Sequence, residues 1–281
     1  MLATYRNYIQ RAFRRHWAVG AFNISNLEQA QGVIWAAEKL KAPVLVNASE
    51  KALDYAGLQP LTDMVRALAK LAKVPVTLNL DHGRTYGVAV RCAKAGFTSL
   101  MLDGSRFGYK QNVAITRKAV ALGKKYGIPV EGELGALGGK EDYISGHVQM
   151  TDPQQAVDFV KQTGVDILAV AIGNAHGIQP GERLDFPRLH AIHKALPKMP
   201  LVLHGASGTP PADIRHAIRL GVVKINIDTD LRHAFSDALR KTLAHDKKVW
   251  DPREVVAPAR EAVQKIVEQK ITLFGSKGKG R

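Results

Sequence analysis

The chain has 281 residues, a single cysteine and a formal net charge of +15. With one Cys there is no intramolecular disulfide, so a stapled mini-scaffold is excluded, and the length suits one α/β barrel spanning residues 1–281. No apolar run approaches the length of a membrane span and no leader pattern is seen, so the expected setting is the cytoplasm with no membrane partner, and the positive charge favours anionic partners.

Residues 1–15 read as an amphipathic helix that caps something, with Tyr5, Tyr8, Ile9, Ala12 and Phe13 at helical spacing. From Ala18 onward short apolar runs alternate with helical patterns, the signature of βα units around a parallel sheet. The first units are strand Val19–Phe22 with helix Asn26–Leu40, strand Val44–Asn47 with helix Leu58–Ala72, and strand Val76–Leu80 with helix Tyr86–Ala95. The next are Ser99–Leu102 with Lys110–Tyr126, and Ile128–Leu134, whose helix Pro153–Gln162 comes only after a long loop. Strands Ile167–Ile172, Leu201–His204 and Val222–Ile227 follow, each with a helical segment. Eight such units close a (β/α)8 barrel, a TIM barrel with an added N-terminal helix and a further C-terminal helix over Arg253–Ile271.

The boundaries carry their own chemistry. Gly96, Gly127, Gly164 and Gly221 stand where helices must stop, and Asp152-Pro153 supplies an N-cap followed by Pro at the first helical position. The Gly/Lys-rich stretch 275–281 reads as a disordered basic tail. Residues between Leu134 and Pro153 are too many for a plain connection and read as a lid or substrate-binding loop. Gly135, Gly138 and Gly139 would let it move, and Glu141, Asp142 and His147 could act once it closes.

Three strands end in His followed at once by Gly: Asp81-His82-Gly83, His176-Gly177 and His204-Gly205. A single strand-end His is ordinarily structural, but the repetition is not, and three imidazoles could hold a metal with an open fourth position, the arrangement of catalytic zinc. A barrel gathers its C-terminal strand ends on one face. Those ends offer Asn23, Ser49, Asp81, His82, Asp103, Ser105, Glu131, Glu133, His176, His204, Asn226 and Asp228. Gly177, the turn Gly205-Ala206-Ser207-Gly208 and Asn226-Ile227-Asp228-Thr229 add backbone N–H groups and hydroxyls after the last strands, where barrels often bind phosphate.

Taken as an ordered set, Asp81-His82-Gly83, Glu133-Leu134-Gly135 with Gly138-Gly139, Ala175-His176-Gly177, His204-Gly205-Ala206-Ser207-Gly208 and Asn226-Ile227-Asp228-Thr229-Asp230 resemble the class II, zinc-dependent fructose-bisphosphate and tagatose-bisphosphate aldolases, from about Gly20 to Gly275. The Leu-Phe-Gly-Ser ending at Leu273–Ser276 is more similar to the shorter subgroup, which includes the tagatose-bisphosphate enzymes. The resemblance implies that His82, His176 and His204 bind Zn²⁺, with Glu133 engaging a second or displaced metal position. It implies that Asp81 is the acid/base at the C4 oxygen and that Glu141 moves a proton on the dihydroxyacetone phosphate carbon. Gly177, Gly205, Ser207, Asn226, Asp228 and Thr229 match the positions that hold dihydroxyacetone phosphate, with a monovalent cation (Na⁺ or K⁺) beside the phosphate. Asn23 and Ser49 are similar to residues lining the substrate pocket. The resemblance further implies a homo-oligomer, dimer or tetramer, and Arg253 resembles a position that reaches an aldehyde phosphate from a neighbouring subunit.

Two stretches depart from the pattern: Ile178-Gln179-Pro180 replaces a Tyr that often follows the second zinc His, and Tyr143–Met150 carries His147. Both bear on the aldehyde half of the substrate. The expected function is therefore reversible cleavage of a fructose- or tagatose-type ketose 1,6-bisphosphate to dihydroxyacetone phosphate and an aldehyde. The alternatives are the same chemistry with a deoxy or acidic aldehyde, or a non-catalytic anion-binding barrel. A scaffold needs neither the three His nor Asp81 and Glu141. Nucleic acid is not an expected partner, because the basic residues are spread along the chain without aromatic interleaving.

Overall fold

The computed structural model describes residues 1–280 apart from 142–143, 146–148 and 178–182, and the side chains of those residues apart from 7, 139–141 and 144–145. In chain order the elements are α1 (Arg6–Arg15), β1 (Val19–Asn23), α2 (Leu27–Lys39), β2 (Val44–Ser49), α3 (Glu50–Ala56), α4 (Leu58–Leu71), β3 (Val76–Gly83), α5 (Tyr86–Ala95), β4 (Ser99–Leu102) and α6 (Tyr109–Tyr126). Then come β5 (Val130–Leu134), β6 (Gly138–Glu141), β7 (Ile144–Ser145), α7 (Pro153–Thr163), β8 (Ile167–Val170), β9 (Ala175–His176), α8 (Phe186–Ala195), β10 (Leu201–Leu203), α9 (Pro211–Arg219), β11 (Val222–Ile227), α10 (Thr229–His245) and α11 (Pro252–Leu273).

Eight parallel strands close in the order β1-β11-β10-β8-β5-β4-β3-β2, so the expected (β/α)8 barrel is the observed fold. Both faces of these strands are covered, which is why they read as apolar runs: one face meets the helices, and the other fills the barrel. The bottom of the interior is apolar. There α1 turns Tyr5, Tyr8, Ile9 and Ala12 inward against Val19, Ala21, Leu45, Ile167, Ala169, Val202 and Val223 and plugs the barrel, while Tyr8 hydrogen-bonds the Thr77 hydroxyl. Helicity begins only at Arg6, because residues 1–3 pair with the start of β3 through Val76.

The helix boundaries follow the capping residues. Asn26, Ser49, Thr85, Asp152, Asp185 and Asp251 each accept a backbone N–H in the first turn of the following helix. Gly96, Gly127 and Gly164 end α5, α6 and α7 in the left-handed conformation.

Two expectations need correction. The sixth barrel strand stops at Val170 rather than running to Ile172, because side chains take the next backbone groups: Ala171 N donates to Thr151 Oγ1 at 2.8 Å and Ile172 N to Asn174 Oδ1 at 2.8 Å. Within the 135–152 loop, read from the sequence as a lid or substrate-binding loop, β6 runs antiparallel to β7 and parallel to β9. The tail is not free: Gly278 N donates to Leu40 O at 2.9 Å, Gly280 N to Lys41 O at 2.8 Å, and Arg11 Nη2 to Lys279 O at 2.6 Å. Backbone hydrogen bonds hold it, so its lack of apolar side chains does not matter.

Cys92 packs in α5 against the sheet, and burial pushes its thiol up to about 12. It is therefore neutral and inaccessible at pH 8. Alkylation by iodoacetamide at that pH, followed by mass spectrometry, is expected to be negligible in native buffer and complete in denaturant. Rapid labelling of the native protein would contradict this packing.

Candidate active site

The site is built where β3, β10 and β11 end. The β3 register against β4 shifts between Leu80 and Gly83, and within that bulge His82 has a left-handed φ of 48°. Such a conformation is unusual for a residue with a side chain, and bulges next to sites re-aim side chains. The following Gly83 is required by space, since a Cβ there would lie 2.9 Å from the Met101 carbonyl oxygen and 2.7 Å from Leu80 Cδ2. Gly205 is required more strongly: its φ is 61°, and a Cβ would lie 2.1 Å from Ala175 O. The glycines after His82 and His204 are thus places where backbone approaches backbone as the strands converge.

His82 and His204 meet with ring centroids 4.6 Å apart, and His82 Nε2 lies 2.8 Å from His204 Nδ1. Each far nitrogen is fixed by a carboxylate: His82 Nδ1 donates to Asp103 Oδ2 at 2.9 Å, and His204 Nε2 donates to Glu131 Oε1 at 2.6 Å. This carboxylate-imidazole arrangement sets ring orientation and tautomer in metal sites. His176, on β9, stands with its ring centroid 5.2 Å from that of His82.

The charges around these rings fit a cation. Burial opposes charging His82, but Asp81, Asp103 and Glu133 outweigh it and raise its pKa. Burial and neighbouring Asp103 push Glu133 up, and its Oε2 is buried with no hydrogen-bond partner, 3.7 Å from His82 Nδ1. Burial works to raise Asp103, and His82 more than offsets it, holding Asp103 well below the usual carboxylate range. Among the described residues, donor atoms of Asp81, His82 and His204, and of His82, Asp103 and Glu133, lie within 4.8 Å of one another in two overlapping groups. Two imidazole nitrogens aimed at one point, with an excess of carboxylate around them, fit a divalent metal.

Asp81 accepts on both oxygens, from Asn23 Nδ2 at 2.9 Å and Asn226 Nδ2 at 2.9 Å. Behind Asn23 runs a line of amides set by register, since Asn23 lies abreast of Asn47, and Asn47 abreast of Asn79. Asn79 donates to Asn47 at 3.0 Å, and Asn47 to Asn23 at 3.2 Å. A cavity beside the imidazoles is lined by Gly177, Gly205, Ser207, Asn226, Asp228 and Thr229. Ser207 Oγ accepts from Asp230 N at 3.3 Å, and Asp228 pairs with Arg232.

The structure brings Asp81, His82, His204 and Glu133 together, whereas His176 stands beside His82 but belongs to neither group of donor atoms. Glu141 lies on β6 by its backbone, but its side chain is outside the described set, as are Asp142, His147 and Ile178-Gln179-Pro180. Ser49 caps α3, with its Oγ accepting Ala52 N at 3.3 Å, and also lines a cavity with Asn23. Arg253 is 90 % exposed and forms a fork with Asp251, contributing nothing to the site of its own chain. Lys224, Asn47 and Asn174 are residues that sequence reasoning missed. Lys224 Nζ donates to Glu131 Oε2 at 2.7 Å with both side chains 0 % exposed, and Asn174 Nδ2 donates to His204 O at 2.9 Å. The signal for Lys224 and Asn47 was the period-two alternation that places them on the inward face with Asn226 and Asn23.

Burial acts to raise Glu131, but Lys224 and His204 prevail and hold it at about 2, against an ordinary value of 4.5. A depressed carboxylate stabilises the fold above its unfolded value, and this contribution is lost as pH falls through the folded one. Stability to urea is thus expected to drop between about pH 4.5 and 2, with a shallower drop in Glu131→Gln. Lys224→Met, which strands a buried carboxylate, is expected to cost about 3–5 kcal/mol in the same assay at pH 7. A cost below about 1 kcal/mol would show that the pair is not what holds Glu131 charged.

Comparison with known proteins agrees with this geometry. Residues 3–279 match the family described as fructose-bisphosphate aldolase class-II. The chain is 42% identical to the fructose-bisphosphate aldolase of Thermus caldophilus, over 99% of this chain and 100% of that one. It is 39% identical to the 6-phospho-5-dehydro-2-deoxy-D-gluconate aldolase of Halalkalibacterium halodurans, over 100% and 98% of the two chains. The crystal structure of the YdjI aldolase from Escherichia coli K12 superimposes with a TM-score of 0.89 at 38% identity, covering 100% of both chains. Among the described residues no helix is long and apolar enough to cross a membrane. With imidazoles and carboxylates converging at the strand ends of such a barrel, the chain belongs to the class-II fructose-bisphosphate aldolase family of metal-dependent carbon–carbon lyases.

Proposed function

We propose that the protein reversibly cleaves a ketose 1,6-bisphosphate of fructose or tagatose type to dihydroxyacetone phosphate and an aldehyde, with Zn²⁺ held by His82, His176 and His204. The observation that carries this reading is the pair of imidazole nitrogens 2.8 Å apart, with Asp81 grouped beside them and the Gly205–Ser207 and Asn226–Thr229 segments lining the same cavity. When bound, Zn²⁺ supplies Lewis acidity toward the ketone and hydroxyl oxygens of the dihydroxyacetone fragment.

The chain's own groups divide the remaining work. Asp81, steered by Asn23 and Asn226, accepts the C4 hydroxyl proton as the aldehyde leaves, and Glu141 returns a proton to the dihydroxyacetone phosphate carbon; condensation reverses both. Gly177, Gly205, Ser207, Asp228 and Thr229 grip the phosphate through backbone N–H groups and hydroxyls, with Na⁺ or K⁺ beside it, and Glu133 serves a second or displaced metal position. The active form is a homo-oligomer working in the cytoplasm. A second reading, dihydroxyacetone phosphate chemistry with a deoxy or acidic aldehyde, is favoured by the 39% identity to an aldolase named for a phosphorylated sugar acid.

The test is release of dihydroxyacetone phosphate from fructose and tagatose 1,6-bisphosphates, with chelator and with zinc restored. Chelator-sensitive cleavage is expected, and the rate ratio gives the C4 preference. Failure on both with retained proton exchange of dihydroxyacetone phosphate would favour the second reading, and failure of all three would remove the catalytic one. Asp81→Asn is expected to lower kcat by about 10²- to 10⁴-fold, the range of a general acid–base contribution. His82→Ala, His176→Ala and His204→Ala are each expected to lose zinc measured by elemental analysis, and a fully active variant among them would cancel that residue's assignment.

A further inference from the structure

Asp81 receives one hydrogen bond on each carboxylate oxygen, and the two donors are held differently. Among the described residues, Asn226 has its Oδ1 buried without a partner, and its Nδ2, 2.9 Å from Asp81, also lies 3.3 Å from His204 Nδ1. Asn23, by contrast, ends a row. Asn79 Nδ2 donates to Asn47 Oδ1 and Asn47 Nδ2 to Asn23 Oδ1, one amide on each of β3, β2 and β1. Asn23 Nδ2 then returns to β3 at Asp81, two residues beyond Asn79.

The end of this row dictates its direction. An ionised carboxylate only accepts, so Asn23 must present its NH2 group to Asp81 and its carbonyl to Asn47. Asn47 must then present its own NH2 group to Asn23 and its carbonyl to Asn79. Any other order sets two oxygens or two NH2 groups against each other. The far end does not fix the direction, because Asn79 Oδ1 is buried with no partner among the described residues.

Asn23 lines a cavity of about 310 Å³, on the scale of a small-molecule site, where either end of an amide can find a partner. Asn47 is wholly buried and lines neither this cavity nor that of the imidazoles. Its donation to Asn23 Oδ1 therefore works against the turned orientation in which Asn23 would face Asp81 with oxygen.

We propose that Asn47 is a positioning residue for the bond-breaking proton transfer, holding the Asp81 carboxylate toward the C4 hydroxyl through Asn23. The inference rests on the aldolase reading, in which Asp81 serves the C4 oxygen and Glu141 the dihydroxyacetone phosphate carbon. Asn47 then matters to the first proton transfer and not to the second.

The experiment compares the wild type, Asn47→Leu, Asn79→Leu and Asp81→Asn, each with its zinc content measured, in two assays. One is single-turnover release of aldehyde from fructose and tagatose 1,6-bisphosphates; the other is exchange of a dihydroxyacetone phosphate proton with solvent deuterium, followed by NMR. Leu is close to Asn in size and has no donor. Asn47→Leu is expected to slow aldehyde release about tenfold or more, as for a buried acceptor left without its donor, and to change exchange by less than about twofold at unchanged zinc content. Asn79→Leu, one link further away, is expected to show the same split with a smaller loss. A loss that falls equally on both assays, or undiminished aldehyde release, overturns the proposal; if Asn47→Leu does not fold, the same outcomes are read from Asn79→Leu. Asp81→Asn separates the two levels. If it keeps aldehyde release or loses exchange, or if the wild type cleaves neither bisphosphate, the reading of Asp81 fails and this inference with it. If Asp81→Asn shows the split and Asn47→Leu does not, the role of Asn47 alone is overturned.

Discussion

The site depends on carboxylates standing behind imidazoles. Asp103 fixes the far nitrogen of His82 and Glu131 that of His204, so the near nitrogens have no choice but to face each other. A buried carboxylate is expensive to desolvate, and each of these is retained only because something positive or hydrogen-bonding lies against it. For Glu131 that something is Lys224, wholly enclosed in the barrel. For Asp103 it is His82 itself together with the Ser105 N–H, which donates to Oδ1 at 2.8 Å. The polar upper half of the barrel interior is therefore one connected set of charges and amides, and the apolar plug of α1 below it supplies the stability such a set does not.

Backbone geometry imposes the second constraint. His82 sits at positive φ inside a bulge, and the glycines after His82 and His204 are packed too closely for a Cβ. Backbone strain of this kind persists only where the surrounding structure over-determines it, and it gathers at functional sites. Here the surroundings are the neighbouring strands: Met101 O beside Gly83 and Ala175 O beside Gly205. The convergence of β3 and β10 with their neighbours is thus recorded in the sequence as His82-Gly83 and His204-Gly205.

The barrel was legible because covered parallel strands read as apolar runs, and because Gly96, Gly127, Gly164 and Asp152-Pro153 mark helix ends by steric and hydrogen-bonding rules that act locally. His82, His204 and Asp81 were legible because barrel strand ends share one face. What was not legible depends on partners distant in sequence. Lys224 looks like a surface charge until Glu131, on β5, is known to face it. Val170 ends its strand because Thr151 and Asn174 compete for the next N–H groups, which no periodicity reveals. The tail is fixed by carbonyls of Leu40 and Lys41, and composition is silent on backbone pairing.

The position of His176 changes how the 135–152 loop is understood. His176 does not end a barrel strand; it lies on β9, whose partner in the ladder is β6, with Ala175 abreast of Gly138 and Gly139 abreast of His176. The same β6 carries Glu141 two residues further on. A displacement of β6 as a whole would break the pairing that fixes the backbone of His176, so any displacement of Glu141 alone has to begin beyond Gly139. Gly138 and Gly139 are themselves the paired residues, so they belong to the half fixed against His176, with Lys140 and Glu141 beyond them. His176 and Glu141 thus lie on paired strands of one small sheet, and the separation of their backbones is set by strand register.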